Sequence, residues 1–234
     1  MSVSFAVRAI LFDLDGTLVD SAPDLCGAMN YLLAMRGHPV LALEQVRDLV
    51  GQGGRALLAR GLWGEGAIPP QNDPHFEEAV AVFLSYYGNH LTDHSTPYPG
   101  VLPMLQWFQQ QGVPMAVVTN KPEALAQRML EQLQLDRFFV HVVGGDTLTT
   151  CKPDAEPLLY VLNQLHIPPH QALMVGDSEI DVVAARQAGC PVVLMSHGYR
   201  HGMTAQQLSP DGVLDHFDQL RTLCAVLADK KEPS

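Results

Sequence analysis

Short apolar runs open the chain and recur along its second half, where they alternate with amphipathic stretches. The runs have the length and apolar density of buried strands, and the stretches between them carry apolar residues at helical spacing. The predicted strands are 6–12, 113–118, 139–143, 172–175 and 191–195, and the predicted helices between them are 101–111, 122–133, 154–165 and 180–188. This alternation is typical of the α/β class, with a doubly wound parallel sheet and helices on both of its faces.

Residues 21–90 carry no strand pattern and are helical throughout. Helices are predicted to begin at Ser21-Ala22-Pro23, Leu43, Arg55 and Asp73-Pro74. The first start has Ser as N-cap and Pro inside the first turn, where both are favoured. The proline-bearing stretch 92–100 predicts a linker back to the strands. We therefore expect a small all-helical cap domain at 21–90, inserted after the first strand of a core domain made of 1–20 and 91–234.

Charge and composition limit the partners of the chain. Lys and Arg number 14 against 25 Asp and Glu, a formal net charge of −11, so the surface as a whole should repel nucleic acid and anionic membranes. No apolar stretch is long enough to span a bilayer, the N-terminus has no secretion-signal pattern, and the 4 cysteines are scattered without metal-site spacing. We expect a cytoplasmic protein, monomeric or homodimeric, with neither a nucleic-acid nor a membrane partner.

The first predicted strand ends at two carboxylates and a glycine, Asp13, Asp15 and Gly16. The carboxyl end of a strand in an open α/β sheet faces the crevice where ligands bind. On an extended strand Asp13 and Asp15 would project to the same face, and two crowded carboxylates need a cation or a proton. Gly16 permits a sharp turn, in which Thr17 is expected to bond locally. The alternative is a plain strand followed by an Asp-Gly turn with Asp15 as an ordinary turn residue.

Two more predicted strands end in a polar residue. Thr119 follows the strand at 113–118, and Asp177 follows the strand at 172–175. This repeated placement indicates that the chemistry lies at one rim of the sheet. Taken alone, Thr119 would be interpreted as a turn or helix cap, and Lys152, which precedes a proline, as a solvated surface residue.

Taken together, these residues resemble the four motifs of the haloacid dehalogenase superfamily. The first motif is an apolar strand ending in Asp-x-Asp-Gly-Thr, matched at 13–17, and the second is a strand ending in Ser or Thr, matched at Thr119. The third is a lysine, matched at Lys152, and the fourth is Gly-Asp-x-x-x-Asp, matched at 176–181. The resemblance implies a Rossmann-like core with an inserted cap and a phosphatase activity that depends on Mg²⁺.

The resemblance also implies a role for each matched residue. Asp13 would attack phosphorus to form an aspartyl-phosphate, and Asp15 would protonate the leaving group and then activate water. Mg²⁺ would be held by the Asp13 carboxylate, the Asp15 backbone carbonyl and the Asp177 carboxylate. Phosphate would be bound by Thr119, Asn120 and Lys152. Asp181 would orient a water or Lys152, unless it is only a favourable charge in the first turn of its helix.

Within the superfamily the chain is similar to the phosphoglycolate phosphatases over nearly its whole length. The similar stretches are 12–23, 50–53, 118–122, 144–146, 152–153 and 188–191. The similarity implies a small anionic phosphate ester as substrate, with 2-phosphoglycolate as the expected one. Glu179-Ile180 depart from the Arg-Asn that is usual in the fourth motif of this group. A phosphatase of different or broader range, such as one for sugar phosphates, and a retired binding protein on the same scaffold are the alternatives.

A glycine-rich stretch, 51–54, precedes Arg55 in the helical block. It is neither a Walker loop nor a dinucleotide fingerprint, because the following Lys-Ser or Lys-Thr and the preceding strand are missing. Two interpretations stay open. The helix-start amides and Arg55 would meet a carboxylate of the substrate, or the stretch is a plain turn between helices with Arg55 solvated.

Overall fold

The structure is a computed structural model that describes residues 4–64, 66–199 and 204–227, without the side chains of Ala205 and Gln206. Its strands are β1 (Phe5–Val7), β2 (Ala9–Phe12), β3 (Val19–Asp20), β4 (Thr96–Pro97), β5 (Met115–Val118), β6 (Phe139–Val143), β7 (Ala172–Gly176), β8 (Val192–Met195), β9 (Gly212–Leu214) and β10 (Cys224–Val226). Its α-helices are α1 (Ala22–Met35), α2 (Leu43–Arg47), α3 (Gly54–Trp63), α4 (Pro74–Asn89), α5 (Val101–Gln110), α6 (Glu123–Gln132), α7 (Glu156–Leu165), α8 (Glu179–Ala188), α9 (Ala205–Leu208) and α10 (Asp218–Leu223).

Six of the described strands form one sheet in the order β6-β5-β2-β7-β8-β9, with every neighbouring pair parallel. The chain order reverses on the two sides of β2, since β5 follows on one side and β7 on the other. Such a switch point opens a crevice at the carboxyl ends of the central strands. The predicted α/β class with a doubly wound parallel sheet is confirmed.

Side chains of β2 alternate between two apolar layers, as the period of a strand requires. Ile10 and Phe12 belong to the cluster on one face of the sheet, and Ala9 and Leu11 to the cluster on the other. All four are fully buried. A strand covered on both faces must be apolar at every position, which is why this run carries no polar residue until it ends at the site.

The predicted first strand, 6–12, is broken at Arg8. The segment before the break, β1, pairs in parallel with β10, whereas β2 lies in the main sheet. In an unbroken strand Arg8 would share a face with Ile10 and Phe12 and enter the apolar layer. A charged side chain there is unfavourable, and the break leaves Arg8 partly exposed.

The helices α1 to α4 lie between two short strands that pair with each other. Strand β3 runs antiparallel to β4, so the predicted linker at 92–100 contains a strand. Asp24 in the first turn of α1 reinforces this junction, because its carboxylate accepts bonds from His94 N, Ser95 N and the Ser95 hydroxyl. The division into a cap at 21–90 and a core stays a prediction, and residues 1–3 and 228–234 of that core lie outside the described ones. Among the described residues, no helix combines the length and apolarity needed to cross a membrane.

Candidate active site

Three adjacent strands of the main sheet end at the candidate site. Asp13 follows β2, Thr119 follows β5, and Asp177 follows β7. The carboxylates of Asp13, Asp177 and Asp181 each offer an oxygen, and these oxygens all lie within 4.8 Å of one another. The structure therefore brings Asp13 together with two acids that lie more than 160 residues further along the sequence.

Lys152 joins this acidic cluster from the loop that precedes α7. Its ammonium lies 2.9 Å from Asp13 Oδ1 and 2.7 Å from Asp181 Oδ1, and only 1% of its side chain is exposed. Three buried carboxylates with one buried ammonium leave an excess of negative charge. Such a cluster is stabilised by a further cation or by protons.

The excess of negative charge changes the pKa values of the residues in the cluster. Burial raises the pKa of Asp13 to about 7, against the lowering effect of Lys152 and with a further increase from Asp181. Burial, followed by the charges of Asp181 and Asp13, raises the pKa of Asp177 well above its ordinary value. For Lys152, burial acts to lower the pKa, but Asp13 and Asp181 together raise it above its ordinary value.

Asp181 is engaged on both of its carboxylate oxygens. Oδ1 accepts from Lys152, and Oδ2 accepts from the backbone N–H of Asp177, the backbone N–H of Ser178 and the Ser178 hydroxyl. The bond from the Ser178 N–H belongs to the capping box at the start of α8. With these four donors, Asp181 is suited to orient Lys152 and the Asp177 loop. The oxygens of Asp13, Asp177 and Asp181 form a negative cluster that suits a divalent cation.

Asp177 is held by two residues that the sequence pattern did not assign to the site. The Thr17 hydroxyl donates to Asp177 Oδ1 at 2.9 Å, and the Tyr199 backbone N–H donates to Asp177 Oδ2 at 2.6 Å. The local bond expected of Thr17 is made by its backbone N–H, which donates to the Leu14 carbonyl at 3.3 Å, while its side chain bonds across the site. Gly16 permits this approach, because it has φ +82° and a Cβ there would lie 2.6 Å from Asp177 Oδ2.

Asp15 lies in the turn after β2 and is paired with a second lysine. The Lys121 ammonium donates to Asp15 Oδ1 at 2.8 Å and to Oδ2 at 3.0 Å. The Ser21 hydroxyl also donates to Asp15 Oδ1. Ser21 occupies the N-cap position of α1 as predicted, but its side chain makes no capping bond there. Lys121 donates in addition to the Tyr87 hydroxyl of α4, at 2.7 Å.

Thr119 and Asn120 lie on the loop after β5. The Thr119 hydroxyl is buried and accepts from the backbone N–H of Lys121 at 3.2 Å. Asn120 Nδ2 donates to the backbone carbonyl of Lys152 at 2.8 Å, which ties the two loops together. Asn120 Oδ1 is buried and has no hydrogen-bond partner within the described part of the chain. A buried acceptor of this kind is suited to a donor from a ligand or water.

A cleft lies above these residues, between the core loops and the helices of the predicted cap. Its polar wall comes from the core and includes Asp13, Asp15, Thr119, Asn120 and Lys121. Its apolar wall comes from the cap and includes Leu25, Leu57, Phe83 and Tyr87. The cavity has a volume of about 40 Å³.

Arg55, one of the sequence-predicted substrate contacts, does not line this cleft. Its guanidinium makes a two-pronged ion pair with Glu77, at 2.7 and 2.6 Å, and lies over the ring of Phe76. Both charged side chains are nearly half exposed. Of the two interpretations left open for this stretch, the geometry matches the solvated Arg55, while Gly51, Gly53 and Gly54 do line the cleft.

Glu179 and Ile180, the departure in the fourth motif, lie in the first turn of α8. They line a second, wider cavity of about 440 Å³, which Asn120 and Lys152 also line. The substitution therefore leaves Asp177 and Asp181 in place and does not alter the lining of the smaller cleft.

Carboxylates and a lysine thus meet at the carboxyl edge of a parallel sheet, which is where ligands bind in open α/β folds. The chain belongs to the haloacid dehalogenase-like hydrolases, whose family model matches residues 10–195. The resemblance inferred from the motifs is confirmed.

Relatives with assigned activities are similar over most of the chain. It is 41% identical to a phosphoglycolate phosphatase of Pseudomonas putida over 218 residues, which cover 93% of this chain and 80% of that protein. It is also 41% identical to phosphoglycolate phosphatase 1 of Pseudomonas aeruginosa, over 91% of this chain and 78% of that one. Among solved structures, one described as a predicted phosphoglycolate phosphatase of Haemophilus somnus superposes with a TM-score of 0.86 at 35% identity, covering 93% of this chain and 97% of the other.

Proposed function

We propose that the protein is a phosphoric monoester hydrolase that converts 2-phosphoglycolate to glycolate and phosphate with Mg²⁺ as cofactor. The observation that carries the proposal is the cluster at the sheet edge, where oxygens of Asp13 and Asp177 lie within 4.8 Å and Lys152 contacts Asp13. The similarity to phosphoglycolate phosphatases supports the choice of substrate.

Asp13 is the proposed nucleophile. Its Oδ1 accepts from Lys152 and from the Leu14 N–H, and no bond to its Oδ2 occurs among the described residues. Attack by Asp13 on phosphorus breaks the bond from phosphorus to the ester oxygen and forms an aspartyl-phosphate. Water then attacks the same phosphorus and releases phosphate, which restores the carboxylate.

Asp15 is the proposed acid and base. It lines the same cleft as Asp13 and is held by Ser21 and Lys121. Its carboxyl group would give a proton to the departing glycolate oxygen in the first step. It would remove one from the attacking water in the second step, so the proton balance closes over one turnover.

Thr119, Asn120 and Lys152 are the proposed phosphate ligands. Thr119 supplies a buried hydroxyl, and Asn120 supplies its backbone N–H at the tip of β5. Lys152 supplies a fixed positive charge beside Asp13. Together these groups would neutralise the oxygens around phosphorus as the charge redistributes.

The acidic cluster fits a divalent cation, and Mg²⁺ is the ion we propose. The Asp13 and Asp177 carboxylates and the Asp15 backbone carbonyl would hold it, with Thr17 and Tyr199 orienting Asp177. When bound, the ion would offset negative charge that otherwise repels the phosphate ester.

The choice of 2-phosphoglycolate over a sugar phosphate is supported by the similarity to phosphoglycolate phosphatases over most of the chain. A retired binding protein is disfavoured, because Asp13, Asp15, Thr119, Lys152 and Asp177 are all present and converge. The division into cap and core, the cytoplasmic location and a monomeric or homodimeric state stay predictions.

Turnover of a panel of small phosphate esters tests the proposal. The panel contains 2-phosphoglycolate, glycolamide phosphate, ethyl phosphate and glucose 6-phosphate, each with and without Mg²⁺. We expect the highest kcat/KM for 2-phosphoglycolate and no turnover in excess chelator. A sugar phosphate as the best substrate would overturn the assignment of the substrate, and full activity in chelator would overturn that of the metal.

A further inference from the structure

The proposed substrate carries a carboxylate in addition to its phosphate, and the cleft has to stabilise that second charge. Among the described residues that line the cleft, Lys121 is the basic one. The other lysine of the site, Lys152, already contacts Asp13 and Asp181. Without a cation near the leaving group, Asp13 and Asp15 would repel the carboxylate.

Lys121 is fixed in place before any ligand binds. It follows Thr119 by two residues on the loop after β5, and it is 5% exposed. Its ammonium contacts both oxygens of Asp15, at 2.8 and 3.0 Å, and the Tyr87 hydroxyl at 2.7 Å. The ring of Tyr87 lies beside it, with the ammonium 4.6 Å from the ring centroid. Lys121 is therefore already ordered and desolvated in the free protein, so ligand binding does not add these free-energy costs.

The bond from Lys121 to Asp15 Oδ1 can be lost without leaving that oxygen unpaired. Asp15 Oδ1 accepts from the Ser21 hydroxyl as well as from Lys121, so the Asp15 carboxylate keeps two donors if one N–H of Lys121 turns to another acceptor. An ammonium has three N–H donors. Lys121 can thus bind an incoming carboxylate while it still pairs with Asp15.

The surroundings strengthen such a contact. Leu57, Phe83 and Tyr87 form the wall of the cleft that faces its polar residues, and they partly enclose it with apolar surface. A charge pair in an apolar, partly enclosed site interacts more strongly than one in water. Arg55, the other cation considered for this task, is paired with Glu77 outside the cleft.

We propose that Lys121 is a specificity-determining residue that binds the carboxylate of the leaving group. The inference rests on the proposed phosphatase function and defines the substrate class more closely. Lys121 selects small phosphate esters whose leaving alcohol carries a carboxylate next to the carbinol carbon. Neutral esters of the same size form no charge pair with Lys121 and gain at most a weaker hydrogen bond.

The test compares two esters that differ in one charge, 2-phosphoglycolate and the phosphate ester of glycolamide. Both kcat and KM are measured with Mg²⁺ for the wild-type protein, for Lys121→Met and for the donor-retaining variant Lys121→Gln. Arg128→Met is the matched control, because Arg128 also bridges core and cap, through a 2.9 Å bond to the Gly88 carbonyl, but does not line the cleft.

The preference is the ratio of kcat/KM for 2-phosphoglycolate to kcat/KM for glycolamide phosphate. Because a hydrogen bond between two charged groups contributes strongly to binding, we expect this ratio to fall about ten- to a hundredfold in Lys121→Met. Most of the loss should be in KM, and Lys121→Gln should fall between the two. Arg128→Met should keep the wild-type preference. Because the readout is a ratio of two esters, a common loss caused by a disturbed Asp15 cancels.

An equal loss for both esters in Lys121→Met and Lys121→Gln would overturn the inference and leave Lys121 as a residue that only positions Asp15. An unchanged preference in both variants would overturn it as well. Failure of the proposed function would give a different result, because the wild-type protein would then hydrolyse neither ester.

Discussion

The side-chain amide of Asn120 holds the main chain of Lys152 across two loops. Asn120 Nδ2 donates to the Lys152 carbonyl at 2.8 Å, and the Lys152 ammonium lies 2.9 Å from Asp13 Oδ1. The position of the Lys152 ammonium beside Asp13 therefore depends on a hydrogen bond to the backbone carbonyl of Lys152. The Asn120 side chain thus positions Lys152. Its backbone N–H has a separate proposed role, which is to bind the phosphate.

Asn120→Ala removes this bond and keeps the backbone N–H. We expect kcat for 2-phosphoglycolate to fall about ten- to a hundredfold, as is common when a residue that orients another functional group is lost. Asn163→Ala, at an exposed position on α7, should behave as wild type. Wild-type kcat in Asn120→Ala would show that Lys152 is positioned without this contact.

Asp13→Asn tests the nucleophile and the charge balance at once. The amide cannot form the acyl phosphate, so we expect turnover of every phosphate ester to fall by at least about a thousandfold. The substitution also removes one of the three negative charges of the buried cluster, so the metal-free variant should melt no lower than the wild type. Measurable turnover by a folded variant would exclude Asp13 as the nucleophile.

Thr17→Val tests a contact that orients Asp177. The variant loses the hydrogen bond to Asp177 Oδ1, and such a bond to a charged group contributes about 1.5–3 kcal/mol. We expect apparent Mg²⁺ affinity to fall by about tenfold or more, with a smaller change in kcat at saturating metal. Thr149→Val, exposed on the loop before Lys152, is the control. Titration of activity with Mg²⁺ measures both, and equal affinities in the two variants would contradict the assignment.

Metal-free stability should decrease as the pH rises. The folded protein retains a proton on Asp13 up to a pKa of about 7, whereas an unfolded chain releases it above the ordinary value of 3.8. Between these values the folded state binds more protons, so its free energy of unfolding falls with increasing pH. Bound Mg²⁺ replaces those protons, and we expect the gain in Tm from Mg²⁺ to be larger at about pH 8 than at about pH 5. Differential scanning fluorimetry with chelator and with Mg²⁺ measures the gain, and a gain that shrinks with pH would contradict this linkage.

Arg55→Ala should leave the substrate preference unchanged. Its guanidinium is paired with Glu77 at an exposed position, and such pairs contribute little to stability. We expect KM for 2-phosphoglycolate to stay within about twofold of wild type and Tm to change little. A selective rise in KM for 2-phosphoglycolate would show that Arg55 leaves Glu77 to meet the substrate.

The arrangement of the strand ends was predictable because one physical rule governs it. Asp13, Thr119 and Asp177 each follow an apolar run, and parallel strands must end at a common edge. The break at Arg8 follows from the same period of two, which would have placed a charge in the apolar layer. Short elements such as β3, β4 and β9 were missed, because two or three residues carry no periodicity.

The contacts between distant residues were not predictable from pattern. Thr17 contacts Asp177 across 160 positions, and Lys121 on the loop after β5 contacts Tyr87 on α4. A signal for Lys121 did exist, since it is a basic residue two positions after the strand-end Thr119. The pairing of Arg55 with Glu77 could not be predicted from the pattern, because Glu77 lies on another helix and 22 positions further along the chain.

The stereochemical course at phosphorus tests the central claim most directly. Hydrolysis of 2-phosphoglycolate is carried out with an isotopically chiral phosphoryl group, and the configuration of the released phosphate is determined. Two successive in-line displacements, first by Asp13 and then by water, predict overall retention of configuration. Overall inversion would mean that water attacks the ester directly, and it would contradict an aspartyl-phosphate on Asp13.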